Sequence, residues 1–127
     1  MTNRTPWTPA ENAALVRLYF RMLDAATTGR PYTKAAMIRD AMTDSPQYRD
    51  GVAGMLTSRT RGSIEAKLMN ASAAHRDLCP EAETMDGHGY RALSNYQRSL
   101  RDAMAEAIAR RAGLELLPEA HPARAGQ

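Results

Sequence analysis

Hydrophobic residues recur along this chain at the spacing of helices. In the first block Leu15, Leu18, Tyr19, Met22, Leu23 and Ala26 return every three or four positions, the period of one helix face. Val16 and Phe20 widen that stripe, which predicts packing against more than one neighbour. Thr8-Pro9-Ala10-Glu11 reads as a capping box with Pro at the first helical position, and Thr27-Thr28-Gly29-Arg30-Pro31 as the helix end. A second helix is expected from Thr33, its N-cap, to about Met42, with Ala36, Met37 and Ala41 inward and Met42 a further candidate for that face. Asp44-Ser45-Pro46 then breaks the chain. Between Gln47 and Leu56, Val52, Met55 and Leu56 are apolar, but Gly51 and Gly54 weaken a helix. That stretch reads as a short helix or an ordered loop. The third strong helix runs from about Arg61 to Leu78. Its Leu68, Ala71, His75 and Leu78 lie within about 40° of Ile64 at 100° per residue, and Cys79-Pro80 ends it. A fourth is expected to begin at Ser94, with Ser94-Asn95-Tyr96-Gln97 as a second capping box. Tyr96, Leu100, Ala103, Met104, Ala107 and Ile108 form its stripe, and Gly113 its C-cap. No period-two alternation competes with these blocks. The predicted fold class is all-α, a small helical domain of four main helices with room for a short fifth.

The chain has 127 residues, of which 43% are apolar and 24% charged. That is one domain with a core of its own, expected over 1–113, with 114–127 a loose tail in which Leu114, Leu116 and Leu117 are the residues suited to dock. No run approaches the roughly 18 to 20 apolar residues of a membrane span. The stretch Met1 to Asn12 has no apolar region of a secretory signal. Cys79 stands alone, which excludes an internal disulfide and a four-cysteine zinc site. A reducing, cytoplasmic setting follows as the expectation.

The formal charge is +3, from seventeen basic and fourteen acidic residues. All the cations except Lys34 and Lys67 are Arg. Arg suits bidentate contact with phosphate and guanine, although a GC-rich genome produces the same bias. Charge position says more. In Ser58-Arg59-Thr60-Arg61-Gly62-Ser63-Ile64-Glu65-Ala66-Lys67-Leu68-Met69-Asn70 the cations sit just before and just inside a helix N-terminus, where free N–H groups and the dipole already favour an anion. With Ile64 inward, Ser63, Lys67 and Asn70 share one flank, beside the small Ala66 and Ala73. That strip reads either as a DNA-facing surface or as a solvated helix face. In the first reading Arg59, Arg61 and Lys67 meet phosphates, Ser63 and Asn70 face the groove, and Lys34, Arg91 and Arg98 extend the basic surface.

The order of these motifs resembles Myb/SANT-like helix-turn-helix domains, through Trp7-Thr8-Pro9-Ala10-Glu11-Asn12 and Arg59-Thr60-Arg61-Gly62-Ser63-Ile64. Such domains place the third helix in the major groove. A longer stretch, about residues 7 to 108, is similar to the helical N-terminal domain found ahead of bacterial HNH endonuclease and restriction-type modules. Its carriers here are Trp7-Thr8 with Glu11, Tyr19-Phe20-Arg21-Met22-Leu23, and Gly29-Arg30-Pro31-Tyr32-Thr33-Lys34. They continue with Arg61-Gly62-Ser63-Ile64-Glu65-Ala66-Lys67, Asn70 and Ser72, then Gly89-Tyr90-Arg91 and Asn95-Tyr96-Gln97. The resemblance implies a module that delivers a nuclease to foreign or modified DNA without cutting it. Two departures stand out: segments 43–57 and 79–88 look longer than in that family, and no nuclease module follows.

Enzyme chemistry has little to build on. The histidines are His75, His88 and His121, and His75 falls on an apolar face as a hydrogen-bonded core histidine. Cys79, Glu81, Glu83, Asp86 and His88 make a donor-rich loop without a known ligand spacing. There is no phosphate loop, no HExxH and no nucleophile elbow. The expectation is a DNA-binding module with no catalysis, no cofactor and no metal. It binds double-stranded DNA and leaves room for a protein partner that supplies an effector activity. The rival is a protein–protein adaptor, such as a phage or mobile-element protein that binds a host partner.

Overall fold

The computed structural model describes residues 6–42, 56 and 59–115, with side chains through residue 113. The expectations for Gln47–Met55 and for the tail beyond residue 115 lie outside the described residues. Within them the fold is all-α, built of four helices, with no strand among the described residues.

Helix α1 spans Pro9–Thr28. Thr8 Oγ1 accepts the Glu11 N–H at 3.1 Å, and the Thr8 N–H donates to Glu11 Oε1 at 2.9 Å. This is the predicted capping box, which satisfies two otherwise orphaned donors. Gly29, at φ 77°, closes the helix by donating to the Ala25 and Ala26 carbonyls, a left-handed conformation that suits glycine. Leu15, Leu18, Tyr19 and Met22 are fully buried, and Val16 and Phe20 are almost so. The wide stripe therefore packs on several sides, and α1 is the central helix.

Helix α2, Lys34–Met42, buries Ile38 and Ala41. Thr33 caps it as expected, its Oγ1 accepting the Ala36 N–H at 3.2 Å. Helix α3, Arg61–Leu78, is capped by Thr60, and the Cys79 N–H bonds to His75 at its end. A short 3₁₀ turn at Met85–His88 follows, with Met85 buried. Helix α4 spans Arg98–Glu115.

Two expectations about α4 fail. It starts at Arg98, not Ser94, because tertiary bonds hold residues 93–97 along α3 outside a helix. The Leu93 N–H donates to the Met69 carbonyl at 3.1 Å, and the first α4 amides, Leu100 and Arg101, bond to the Gln97 carbonyl. The helix also continues past Gly113, which is not its C-cap.

Helices α1 and α4 run parallel and in step. Asn12 Nδ2 donates to Ser99 Oγ at 3.0 Å, and Arg111 Nη2 to Asp24 Oδ1 at 2.9 Å. Each bond joins residues 87 apart, so the two helices keep register over roughly 18 Å. One hydrophobic cluster collects Trp7, Leu56 and side chains from all four helices. No helix among the described residues is long and apolar enough to cross a membrane.

Candidate nucleic-acid interface

Arg59 is where the expected interface first departs from the sequence reading. Only 5% of it is exposed. Its Nε donates to Glu11 Oε2 at 2.9 Å, and its Nη2 to Glu11 Oε1 at 2.7 Å and to the Pro6 carbonyl at 2.9 Å. The guanidinium also lies 4.8 Å from the centre of the Trp7 ring. The bidentate bond to Glu11 holds its proton more firmly still. Arg59 therefore pins the chain entering α3 to the start of α1, and the expectation that it meets a phosphate is corrected.

The flank of Ser63, Lys67 and Asn70 is occupied as well. Lys67 Nζ donates to Gln97 Oε1 at 3.0 Å and stands 5.4 Å over the Trp7 ring. Partial burial, then the nearby Arg59 charge, lowers its pKa. Asn70 Nδ2 donates to the Leu93 carbonyl at 2.9 Å and to Asn95 Oδ1 at 3.3 Å. Lys67 meets Gln97, and Asn70 meets Leu93 and Asn95, so segment 93–97 lies antiparallel on α3 and covers the strip. Ser63 is half-buried at the capped first turn, and Ala73 points into the core. As placed, Lys67 and Asn70 hold this strap rather than face a groove. The sequence signal for the strap is Asn95 and Gln97, whose spacing equally fits a helix cap.

Four of the eight expected residues remain at the surface or near it. Arg61 keeps its side chain 57% exposed, with Glu65 at 3.5 Å one helical turn on. Gly62 is exposed with open space where a Cβ would stand. Arg91 and Arg98 are exposed. Lys34 Nζ donates to the Gly89 carbonyl at 3.4 Å and lies 4.6 Å over the Tyr90 ring. Tyr90 is buried, and its hydroxyl pKa is pushed up by burial and then by Glu65, with Arg61 opposing. The charges of Glu65 and Arg61, in the first turns of α3, thus reach the Tyr90 hydroxyl. Lys34 lies on Tyr90, Arg91 follows it in the chain, the Arg61 charge reaches it, and Arg98 stands at the far end of the strap. No family model, no curated protein and no solved structure matches this chain.

The donor-rich loop is tied up internally. His88 Nε2 lies 2.6 Å from Glu83 Oε2, and Asp86 Oδ1 accepts the Ala92 N–H at 2.8 Å. Among the described residues no group of three or more metal-binding side chains converges. His75 is the hydrogen-bonded core histidine that its position predicts: Tyr19 Oη lies 2.8 Å from its Nδ1. Tyr19 Oη also accepts the Met85 N–H at 3.3 Å. Burial lowers the His75 pKa, with the Arg111 charge adding to it, and burial pushes Tyr19 up to about 12. A neutral His75 then accepts from the Tyr19 hydroxyl. Tyr96, expected in the core, is only half-buried, and its hydroxyl donates to Asp77 Oδ2 at 2.5 Å.

Proposed function

We propose that this chain is a DNA-binding module that grips the phosphate backbone through Arg61, Arg91, Arg98 and Lys34. The observation that carries this reading is the set of cations left at or near the surface: Arg61 at the N-terminal end of α3, Lys34 over Tyr90, Arg91 beside it in the chain, and Arg98 at the start of α4. Helix amides and the dipole favour anions there, and Arg is suited to phosphate. Backbone contacts position a protein without reading sequence, so base discrimination by the α3 flank forms no part of it. The resemblance to domains that precede HNH nucleases supports a targeting role, with foreign or modified DNA as the target and cleavage supplied by another chain.

The test is a titration of labelled duplex, plain and base-modified, at several salt concentrations. Affinity should fall with salt, and replacing Arg61, Arg91 and Arg98 by Ala should lower the log–log slope by about 0.9 for each phosphate no longer neutralised. A folded triple variant that binds as tightly as the parent would sink the reading. The purified protein should leave DNA intact with or without divalent metal, and metal-dependent nicking abolished by His88→Ala would contradict it.

A further inference from the structure

The parallel helices α1 and α4 leave a groove of about 750 Å³ between them. Five arginines line it: Arg17, Arg21, Arg30, Arg110 and Arg111. Two carboxylates stand among them, each with an arginine partner. Asp24 takes Arg111 at 2.9 Å, and Glu106 takes Arg110 at 2.8 Å. Five arginines against two carboxylates give the lining a formal cationic excess. Its apolar lining is different in kind, made by Ala13, Ala103 and Ala107, with Phe20 beneath them, nearly buried under the Arg111 guanidinium 4.2 Å from its ring centre.

We propose that this groove docks an acidic amphipathic helix of a partner protein. Three alanines let a third helix approach closely, at the roughly 8 to 10 Å of packed helix pairs, and helix-in-groove docking needs such an apolar floor. The arginines select the charge: an acidic helix lays its apolar stripe on the alanines while its flanking carboxylates meet guanidinium groups. Duplex DNA fits less well, since it offers phosphates but no apolar stripe for the floor. Arg98, one of the proposed DNA contacts, also points away from the groove. At 100° per residue Arg98 leaves α4 about 150° from the groove-lining positions of that helix. A groove separate from the proposed DNA contacts suits a protein that brings an activity to the DNA.

The probe is a labelled helical peptide of about 14 residues, long enough for the roughly 18 Å over which the helices stay in step. It carries Leu on one stripe and Glu on both flanks, and is titrated into the full chain by fluorescence polarisation. Saturable one-to-one binding that weakens with salt is expected. Ala13→Glu with Arg30→Glu should weaken it by about tenfold or more. Both positions are exposed, and circular dichroism and melting temperature confirm that the variant is folded. Arg98→Glu, on the opposite flank, should change peptide affinity by less than about threefold. Absence of binding, or equal loss in the two variants, overturns the proposal. So does loss of duplex binding in the groove variant, which would make the groove the nucleic-acid site. A failure with peptide leaves the salt titration on DNA untouched, so the two readings fail separately.

Discussion

Glu11 serves two structures at once. It closes the α1 capping box through Oε1 and holds Arg59 through both carboxylate oxygens. The Arg59 side chain is 4% exposed and that of Glu11 11%. Removing one member of such a pair strands the other charge away from water. Arg59→Ala should therefore cost about 3 kcal/mol, the low end for a buried pair because the carboxylate still touches solvent. Arg61→Ala should change stability by less than about 0.5 kcal/mol. Urea unfolding of both variants checks this, and equal effects would refute the distinct roles. His75 makes a prediction about pH. Its pKa is lowered in the folded state by burial and by Arg111, while the unfolded chain binds a proton near the usual 6.5. The unfolded state thus binds more protons below that value. The histidine's contribution is whole above about pH 6.5 and is lost as pH falls from there through the lowered folded value. The urea midpoint should drop between about pH 7.5 and pH 5.5, and His75→Gln should flatten that drop. An unchanged pH dependence in the variant would assign the effect to other groups.

At the scale of elements, the strap of residues 93–97 decides more than any helix start signal. The spacing Ser94 to Gln97 fits a capping box, but the same side chains find partners on α3. Asn95 meets Asn70, Gln97 meets Lys67, and the Leu93 backbone bonds at both ends. Those bonds are incompatible with a helix beginning at Ser94, and tertiary pairing overrides the local preference. Asn70→Ala should free the Leu93 carbonyl from its side-chain donor and cost about 1 to 2 kcal/mol. Amide exchange should speed up at Leu93 and the first turn of α4, while base discrimination in DNA stays unchanged. Loss of discrimination at one base pair with normal exchange would instead restore Asn70 to a groove-facing role. The Met85–His88 turn has a comparable tether, the Tyr19 hydroxyl that accepts the Met85 N–H. Tyr19→Phe should leave Met85 N–H and His75 Nδ1 unsatisfied and cost about 1 to 3 kcal/mol, with faster exchange at Met85 as its signature.

For the whole molecule, α1 is the hub: α2, α3, α4 and the 3₁₀ turn all pack on it. Leu18 is fully buried. Leu18→Ala should cost about 2 to 5 kcal/mol and lower the unfolding midpoint by every probe together, because one core joins the helices. Separate transitions by fluorescence of Trp7 and by circular dichroism would show that the start of α1 unfolds on its own.

What the sequence by itself determined is local. Thr8 and Thr33 mark two helix starts and Gly29 falls in the segment that marks one end, because caps and the left-handed glycine act over four or five residues. The apolar spacing of α1 and α3 selects the buried face, including His75, because helical period alone orients those side chains. Three-dimensional packing decided the rest. Whether a cation is a free hand or a structural pin depends on what stands opposite. Arg59 has Glu11 across 48 residues, Lys67 has Gln97 across 30, and Asn70 has Leu93 across 23. The parallel register of α1 and α4, which assembles the arginine groove from two distant segments, likewise depends on bonds between residues 87 apart. No local spacing encodes such pairings, since they arise only when the helices bury their shared core.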